Sequence, residues 1–309
     1  FLYLTAFIAS SFWMASSLAL ANDSAPLKIP QAVTNSLERN QIPLDAVSIS
    51  VTEIESGRPG KLVVKKVLDW RGTDLMNPAS TMKLVTTLAG LDILGPQYRW
   101  RTNVYTDGMI RQGVLKGNLY LQGTGDPKLI PEELAKMMKE LQGLGIQKID
   151  GNLFFDRSAF AASTMEHNTI DGESLRSYNV PPDPLLYAFR TLSFQLGKSR
   201  TADFIDISYT PPLSQLKVSN QMQLVDRPCD NWKSNIRFNL DPEGISNTDQ
   251  PLTAQFSGAF PSACKGVNFN VVALDANTFL TQGFAAAWEL AGGAWVRPPI
   301  GKNGTVPLA

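Results

Sequence analysis

Apolar and polar positions divide the chain into a short helical and hairpin opening and a long strand-rich stretch. Residues 30–40 (PQAVTNSLERN) carry apolar side chains at helical spacing and predict an amphipathic helix. Residues 46–54 (AVSISVTEI) alternate apolar with polar, the period of a half-buried strand, and residues 62–68 are a second strand candidate. Residues 55–60 (ESGRPG) are turn chemistry between them, so the pair predicts an antiparallel hairpin. In NPASTMKLVTTLAGL, Asn77 suits an N-cap and Pro78 the first helical position, where its missing N–H costs nothing. Leu84, Val85, Leu88 and Leu91 recur at helical spacing, and Gly95-Pro96 ends the helix. From about residue 98 to 270 the texture changes. Alternating runs occur at 100–105, 114–122, 152–156, 204–209, 221–225 and 267–274, separated by Gly, Pro and Asn turns. One helix is predicted among them at 131–141, and another after them at 278–291.

The first residues follow neither pattern. Phe1–Leu20 carries no charge and runs into Ala19-Leu20-Ala21, a small-x-small cleavage signature followed by polar Asn22-Asp23-Ser24. Residues 1–21 therefore read as a secretory signal peptide, with a membrane-spanning helix as the competing reading. The positive n-region and an initiator Met are missing, so the sequence is expected to start inside its reading frame.

Composition changes this picture little. The 309 residues are 43% hydrophobic and 18% charged, enough for a sizeable core and more than one domain. Lys plus Arg is 28 and Asp plus Glu is 28, with no basic stripe, which excludes a nucleic-acid footprint. Cys229 and Cys264 are the two cysteines. An even count in an exported chain favours a disulfide over two buried thiols, and the bridge would be worth about 3–4 kcal/mol. Two cysteines and one histidine, His167, are too few for a conventional zinc site, and no cofactor or metal is expected.

The same shortage narrows the possible catalysis. A Ser-His-Asp triad would have to use His167, which lies in a polar loop without a nucleophile elbow. Ser-x-x-Lys is the alternative, because residues three apart on a helix lie about 5–6 Å apart at Cβ, close enough for an amine to reach a hydroxyl. The amine serves as a base when burial or a positive field favours its neutral form. The motif occurs three times, at Ser80/Lys83, Ser214/Lys217 and Ser262/Lys265. Only the first has a cap, a Pro and an amphipathic run around it. At the start of a helix, the dipole and free N–H groups favour an alkoxide or oxyanion. Ser80 is thus the candidate nucleophile and Lys83 its base.

The stretch NPASTMKLVTTLAGLDILGPQYRWRT resembles the active-site segment of class C low-molecular-mass penicillin-binding proteins, the D-alanyl-D-alanine carboxypeptidases/endopeptidases. NLYLQGTGDPKL, GNLFFDRSAF, YNVPPDPLL and FSGAFPSACKG resemble that family's inserted region, so the likeness runs from about residue 30 to the end. It implies an α+β, multi-domain fold in which a β-lactamase/transpeptidase-like domain is split in sequence. β-rich domains would be inserted after the Ser-x-x-Lys helix. Residues 22–99 would be the first segment of that domain, 100–270 the insertion and 271–309 the return. It also implies a periplasmic enzyme acting on peptidoglycan stem peptides through a Ser80 acyl-enzyme and acylated by β-lactam antibiotics. Asp156 would bind the stem-peptide side chain, or else be a strand-end turn residue. The family's Ser-x-Asn and Lys-Thr-Gly motifs are not evident. Ser177-Tyr178-Asn179 reads as a loop within the insertion, and Lys302-Asn303-Gly304 as a turn. Both true motifs are expected beyond Ala309, which would leave this stretch inactive alone. The rival readings are a non-catalytic wall-binding module and another Ser-Lys hydrolase, such as a β-lactamase. The sequence does not address oligomeric state.

Overall fold

The computed structural model describes residues 29–56, 62–165, 169, 171–173, 175–199, 203–240, 252–272 and 274–307. The expected signal peptide at 1–21, the hairpin tip at 57–61 and His167 lie outside the described residues. The chain divides into two compact units, one ending at Gln97 and one starting at Tyr98.

The first unit contains helix α1 (Gln31–Arg39), strands β1 (Ile49–Ser56) and β2 (Leu62–Trp70), and helix α2 (Met82–Leu94). The two strands pair antiparallel from Ile49↔Trp70 to Ser56↔Leu62, with a register shift between Val51 and Thr52. Arg71, in the left-handed region at φ 52°, turns the chain out of β2. Its guanidinium donates to the Asp45 carbonyl and pairs with Asp74, while its own carbonyl accepts from Ser48 Oγ at 2.8 Å. Gly95, at φ 79°, ends α2 by donating its N–H to the Leu91 carbonyl at 3.0 Å.

The second unit opens with β3 (Thr102–Thr106), β4 (Met109–Arg111), β5 (Val114–Lys116) and β6 (Leu119–Gly123). Helix α3 (Pro131–Gly143), β7 (Lys148–Asp150), β8 (Leu153–Asp156) and the short α4 (Ala162–Met165) follow. Next come β9 (Leu192–Lys198), β10 (Ile205–Thr210), β11 (Leu216–Val225) and β12 (Ile236–Leu240). The unit continues with β13 (Leu252–Pro261), β14 (Val267–Val271), α5 (Ala276–Leu290), β15 (Ala294–Trp295) and β16 (Gly301–Asn303).

Four sheets result, in the orders β16-β8-β6-β3, β15-β7-β5-β4, β10-β9-β14 and β11-β13-β12. The long β11 and β13 run parallel from Leu216↔Leu252 to Val225↔Pro261. Strands β9, β12 and β13 were absent from the sequence-based expectation, although Leu192, Phe194 and Leu196 of β9 alternate with polar residues and are buried. Phe194, Phe238, Phe256 and Phe269 meet at centroid distances of 5.0–5.8 Å and join two of the sheets.

Helix α5 is buried on most of its surface, including Phe279, Leu280, Phe284 and Trp288. Gly283 gives the Tyr187 ring its place, since a Cβ there would lie 2.2 Å from a ring carbon. Asp275 caps the helix, accepting from the Asn277 and Thr278 N–H groups at 2.9 and 3.0 Å. Within the second unit, α5 buries its apolar surface and β16 pairs in parallel with β8. Lys302-Asn303 is accordingly part of a short strand and not of a turn. Cys229 and Cys264 are joined, with Cα atoms 4.9 Å apart.

Candidate functional site

The segment leading to Ser80 is tighter than the expected helix start. Asn77 Oδ1 accepts from the Ala79 N–H at 2.9 Å, as an N-cap would. Ala79 then takes φ 43°, in the left-handed region that a Cβ disfavours. Residues Ala79–Thr81 form a 3₁₀ turn, and the α-helix begins only at Met82. Ser80 therefore lies in the tight turn before the α-helix and Lys83 in its first turn, a common way for helices to begin. The spacing still brings them together: Lys83 Nζ donates to Ser80 Oγ at 2.9 Å. Both side chains are exposed, as are Leu84, Val85, Leu88 and Leu91 along α2.

Asp156, at the end of β8, is 2% exposed. Its carboxylate accepts from the Ser158 N–H at 3.0 Å, Gln122 Nε2 at 3.3 Å and the Val306 N–H at 3.1 Å. Burial works to raise its pKa, but the hydrogen bonds from Ser158, Val306 and Gln122 outweigh it and hold the carboxyl below the usual range. All three donors come from the chain itself. The carboxylate thus staples β8 to the segment after β16.

The other sequence candidates fall into structural places. Asn179, in a 3₁₀ turn, is 4% exposed and donates its amide to Asp171 Oδ1 at 2.7 Å. The Tyr178 hydroxyl donates to the same carboxylate at 2.5 Å. The Ser214 N–H donates to the Gln282 carbonyl at 3.1 Å, and Ser262 follows the end of β13 with its N–H on the Val225 carbonyl at 2.8 Å. Among the described residues, no group of three or more His, Cys, Asp or Glu side chains could hold a metal.

Sequence reasoning missed a polar centre on Arg157. Its Nε donates to both Asp183 oxygens, at 2.8 and 3.0 Å, and its Nη1 to Asn277 Oδ1 at 2.8 Å and Asn303 Oδ1 at 2.7 Å. The Arg157 and Asp183 side chains are each 11% exposed. The Phe155 ring lies beneath the guanidinium, 5.3 Å from its carbon.

The chain is similar to known proteins. Residues 30–302 match the model of the D-Ala-D-Ala carboxypeptidase 3 (S13) family. The D-alanyl-D-alanine carboxypeptidase DacB of Haemophilus influenzae is 34% identical over 116 residues, 38% of this chain and 24% of that protein. A D-alanyl-D-alanine carboxypeptidase of an Actinomadura species is 37% identical over 90 residues, 29% of this chain and 16% of that protein. Among solved structures, penicillin-binding protein 4 (dacB) of H. influenzae superposes with a TM-score of 0.54 at 20% identity, over 83% of this chain and 53% of that one. The same protein complexed with a novel β-lactam gives 0.51, over 85% and 53%. The chain thus spans about half or less of the length of these relatives. The structural likeness shows a shared mixed α/β fold, and the family match covers nearly all of the chain, strand-rich unit included. The chain belongs to the D-Ala-D-Ala carboxypeptidase 3 (S13) family and is a low-molecular-mass penicillin-binding-protein-like chain.

Proposed function

We propose that this chain carries the nucleophile and base of a serine D-alanyl-D-alanine carboxypeptidase/endopeptidase acting on peptidoglycan stem peptides. The observation that carries the reading is the 2.9 Å contact between Lys83 Nζ and Ser80 Oγ at a helix start. In the reaction, Ser80 Oγ bonds to the carbonyl carbon of the penultimate D-Ala while Lys83 takes the hydroxyl proton. That proton passes to the nitrogen of the terminal D-Ala as the C–N bond breaks. Water then hydrolyses the ester and restores Ser80. In the endopeptidase reaction, the departing amine belongs to a neighbouring stem. A β-lactam opens on Ser80 in the same way, but its leaving nitrogen stays tethered and the ester persists. The mechanism needs no metal or organic cofactor.

Family membership and the spacing of Ser80 and Lys83 support this reading. So does the β-lactam complex of the Haemophilus relative, whose fold this chain shares. The reading places the domain that carries the chemistry around α2, with the β-rich unit inserted after it. It expects the Ser-x-Asn and Lys-Thr-Gly partners in the portion of the relatives that this chain does not match. Asp156 takes a structural role in it, because its oxygens already have internal donors. Export to the periplasm rests on the Phe1–Ala21 pattern. Among the described residues, no helix is long and apolar enough to cross a membrane.

The test is acylation by labelled penicillin followed by peptide mass spectrometry, on this chain and on one extended to the length of the relatives. A stable adduct on Ser80 of the longer chain, lost in Ser80→Ala, is expected. No adduct on a folded longer chain would favour a non-catalytic wall-binding module. An adduct that forms and hydrolyses rapidly would favour a β-lactamase.

A further inference from the structure

Beside the Arg157 centre, the second unit holds a cleft of about 300 Å³, lined by Arg157, Arg190, Asp183, Asp275, Asn277 and Asn303 among others. A guanidinium has five N–H donors. Arg157 spends those on Nε and Nη1 on Asp183, Asn277 and Asn303. Its Nη2 is buried and has no hydrogen-bond partner among the described residues, and the same holds for Nε of Arg190. A buried cationic N–H without an acceptor is costly, and native structures rarely leave one so. Here two cations lining one cleft share that condition.

The cleft's own carboxylates do not relieve it. Asp183 holds Nε of Arg157 and also accepts the Leu185 N–H at 2.8 Å. Asp275 is engaged in capping α5. Burial pulls the Arg190 pKa down, with Asp183 and Asp275 pulling it back up. The backbone that presents Arg190 is itself strained: Ala188, Phe189 and Arg190 are consecutive left-handed residues at φ 44°, 55° and 50°. Runs of this kind persist where the surroundings hold them, and they cluster at ligand sites.

We propose that this cleft binds a small molecule or peptide through a monoanionic carboxylate, held by the guanidinium groups of Arg157 and Arg190 that line it. The planar guanidinium fork suits a carboxylate or a phosphate. Two arginines against two aspartates leave the cleft with no net charge, so a dianion would face Asp183 and Asp275 uncompensated. That selects the carboxylate. Apolar side chains, among them Pro181, Pro182, Leu186 and Met165, also line the cleft and favour an uncharged body behind it. The proposal does not use Ser80.

The test is a titration of the full chain, labelled with ¹⁵N at arginine, with N-acetylglycine, the matching amide N-acetylglycinamide, and inorganic phosphate at constant ionic strength. The Nε–H signals of Arg157 and Arg190 report. A saturable shift of both signals with N-acetylglycine is expected, with none from the amide and weaker binding of phosphate. Arg190→Gln is expected to weaken binding about tenfold or more, the loss of one charged hydrogen bond, without lowering the melting temperature. Arg190→Lys, which keeps the charge without the fork, should weaken it as well. The absence of a saturable shift in the parent chain would overturn the proposal. Equal binding of the amide, or tighter binding of phosphate, would overturn it too.

Discussion

Helices α2 and α5 are similar in length and both rich in apolar residues, yet they lie in opposite environments. Along α5, Phe284 and Trp288 are fully buried. Along α2, Leu84, Leu88 and Ile93 are 75%, 69% and 78% exposed. A helix apolar on every side belongs inside a larger fold, and an apolar surface this extensive marks a place where something binds. The strand-rich unit therefore closes its own core, whereas α2 leaves its apolar side chains exposed. This contrast explains why the chemistry and the stability of the chain should respond to different changes.

The largest expected effect is on chemistry. Ser80→Ala should abolish acylation by labelled penicillin in a chain extended to the relatives' length. Lys83→Ala should slow it by roughly 10²–10⁴-fold, the usual share of a general base. Neither change should shift the unfolding of the strand-rich unit, followed by segment-resolved hydrogen exchange. A lower stability of that unit in either variant would show that the chemistry and the stability are coupled.

Next comes a matched pair of truncations. Phe284→Ala removes a fully buried ring of α5 and should cost about 3–5 kcal/mol in denaturant unfolding. Leu88→Ala in α2 should change stability by no more than about 0.5 kcal/mol, because the side chain is exposed and Ala favours helix. Equal costs would mean that α2 is covered in solution, and the comparison would fail. In the extended chain, Leu88→Ala should become costly, which would show that the added chain supplies the cover.

What the sequence made legible follows the same division. The α2 and α5 helices and the β1–β2 hairpin were readable because their signals are local: apolar period, a cap, a Gly-Pro stop, a turn. The Ser80–Lys83 contact was readable for the same reason, since three residues on a helical path fix the distance. The 3₁₀ entry and the left-handed Ala79 were not, because nothing in Pro-Ala-Ser-Thr announces them. Strand β16 looked like a turn because its partner β8 lies far back in the chain, and tertiary pairing overrode a polar local sequence. Strand β13 carries Gly258 and ends in Pro261, residues that read as breakers. The Arg157 centre gathers partners 26, 120 and 146 residues away, and no local pattern encodes that convergence.

The disulfide sharpens the contrast from within the closed unit. It joins Cys229 and Cys264 across 35 residues, spanning the hairpin partners β12 and β13. Cys229→Ser with Cys264→Ser should cost about 3–4 kcal/mol by loop-closure entropy. The loss should appear in hydrogen exchange of β11–β14 and leave the β1–β2 hairpin unchanged. A loss spread equally over both units would mean that they unfold as one.

The smallest effect is carried by Asp156 and depends on pH. Its folded-state pKa is held below the ordinary value because three internal donors outweigh burial. The folded state then binds fewer protons than the unfolded state, so the carboxylate contributes stability that is fully present above the usual carboxylate range. That stability is lost as pH falls through the depressed folded value. In Asp156→Asn, a side-chain amide nitrogen must face either the Ser158 N–H or the pair from Gln122 and Val306. The cost should be about 1–3 kcal/mol near neutral pH, shrinking as pH falls from the ordinary carboxylate range through the depressed folded value. Urea unfolding at stepped pH measures both limbs. Curves for parent and variant that stay parallel down to strong acid would show that Asp156 is not held ionised by these donors, and the staple between β8 and the 304–307 segment would have to rest on other contacts.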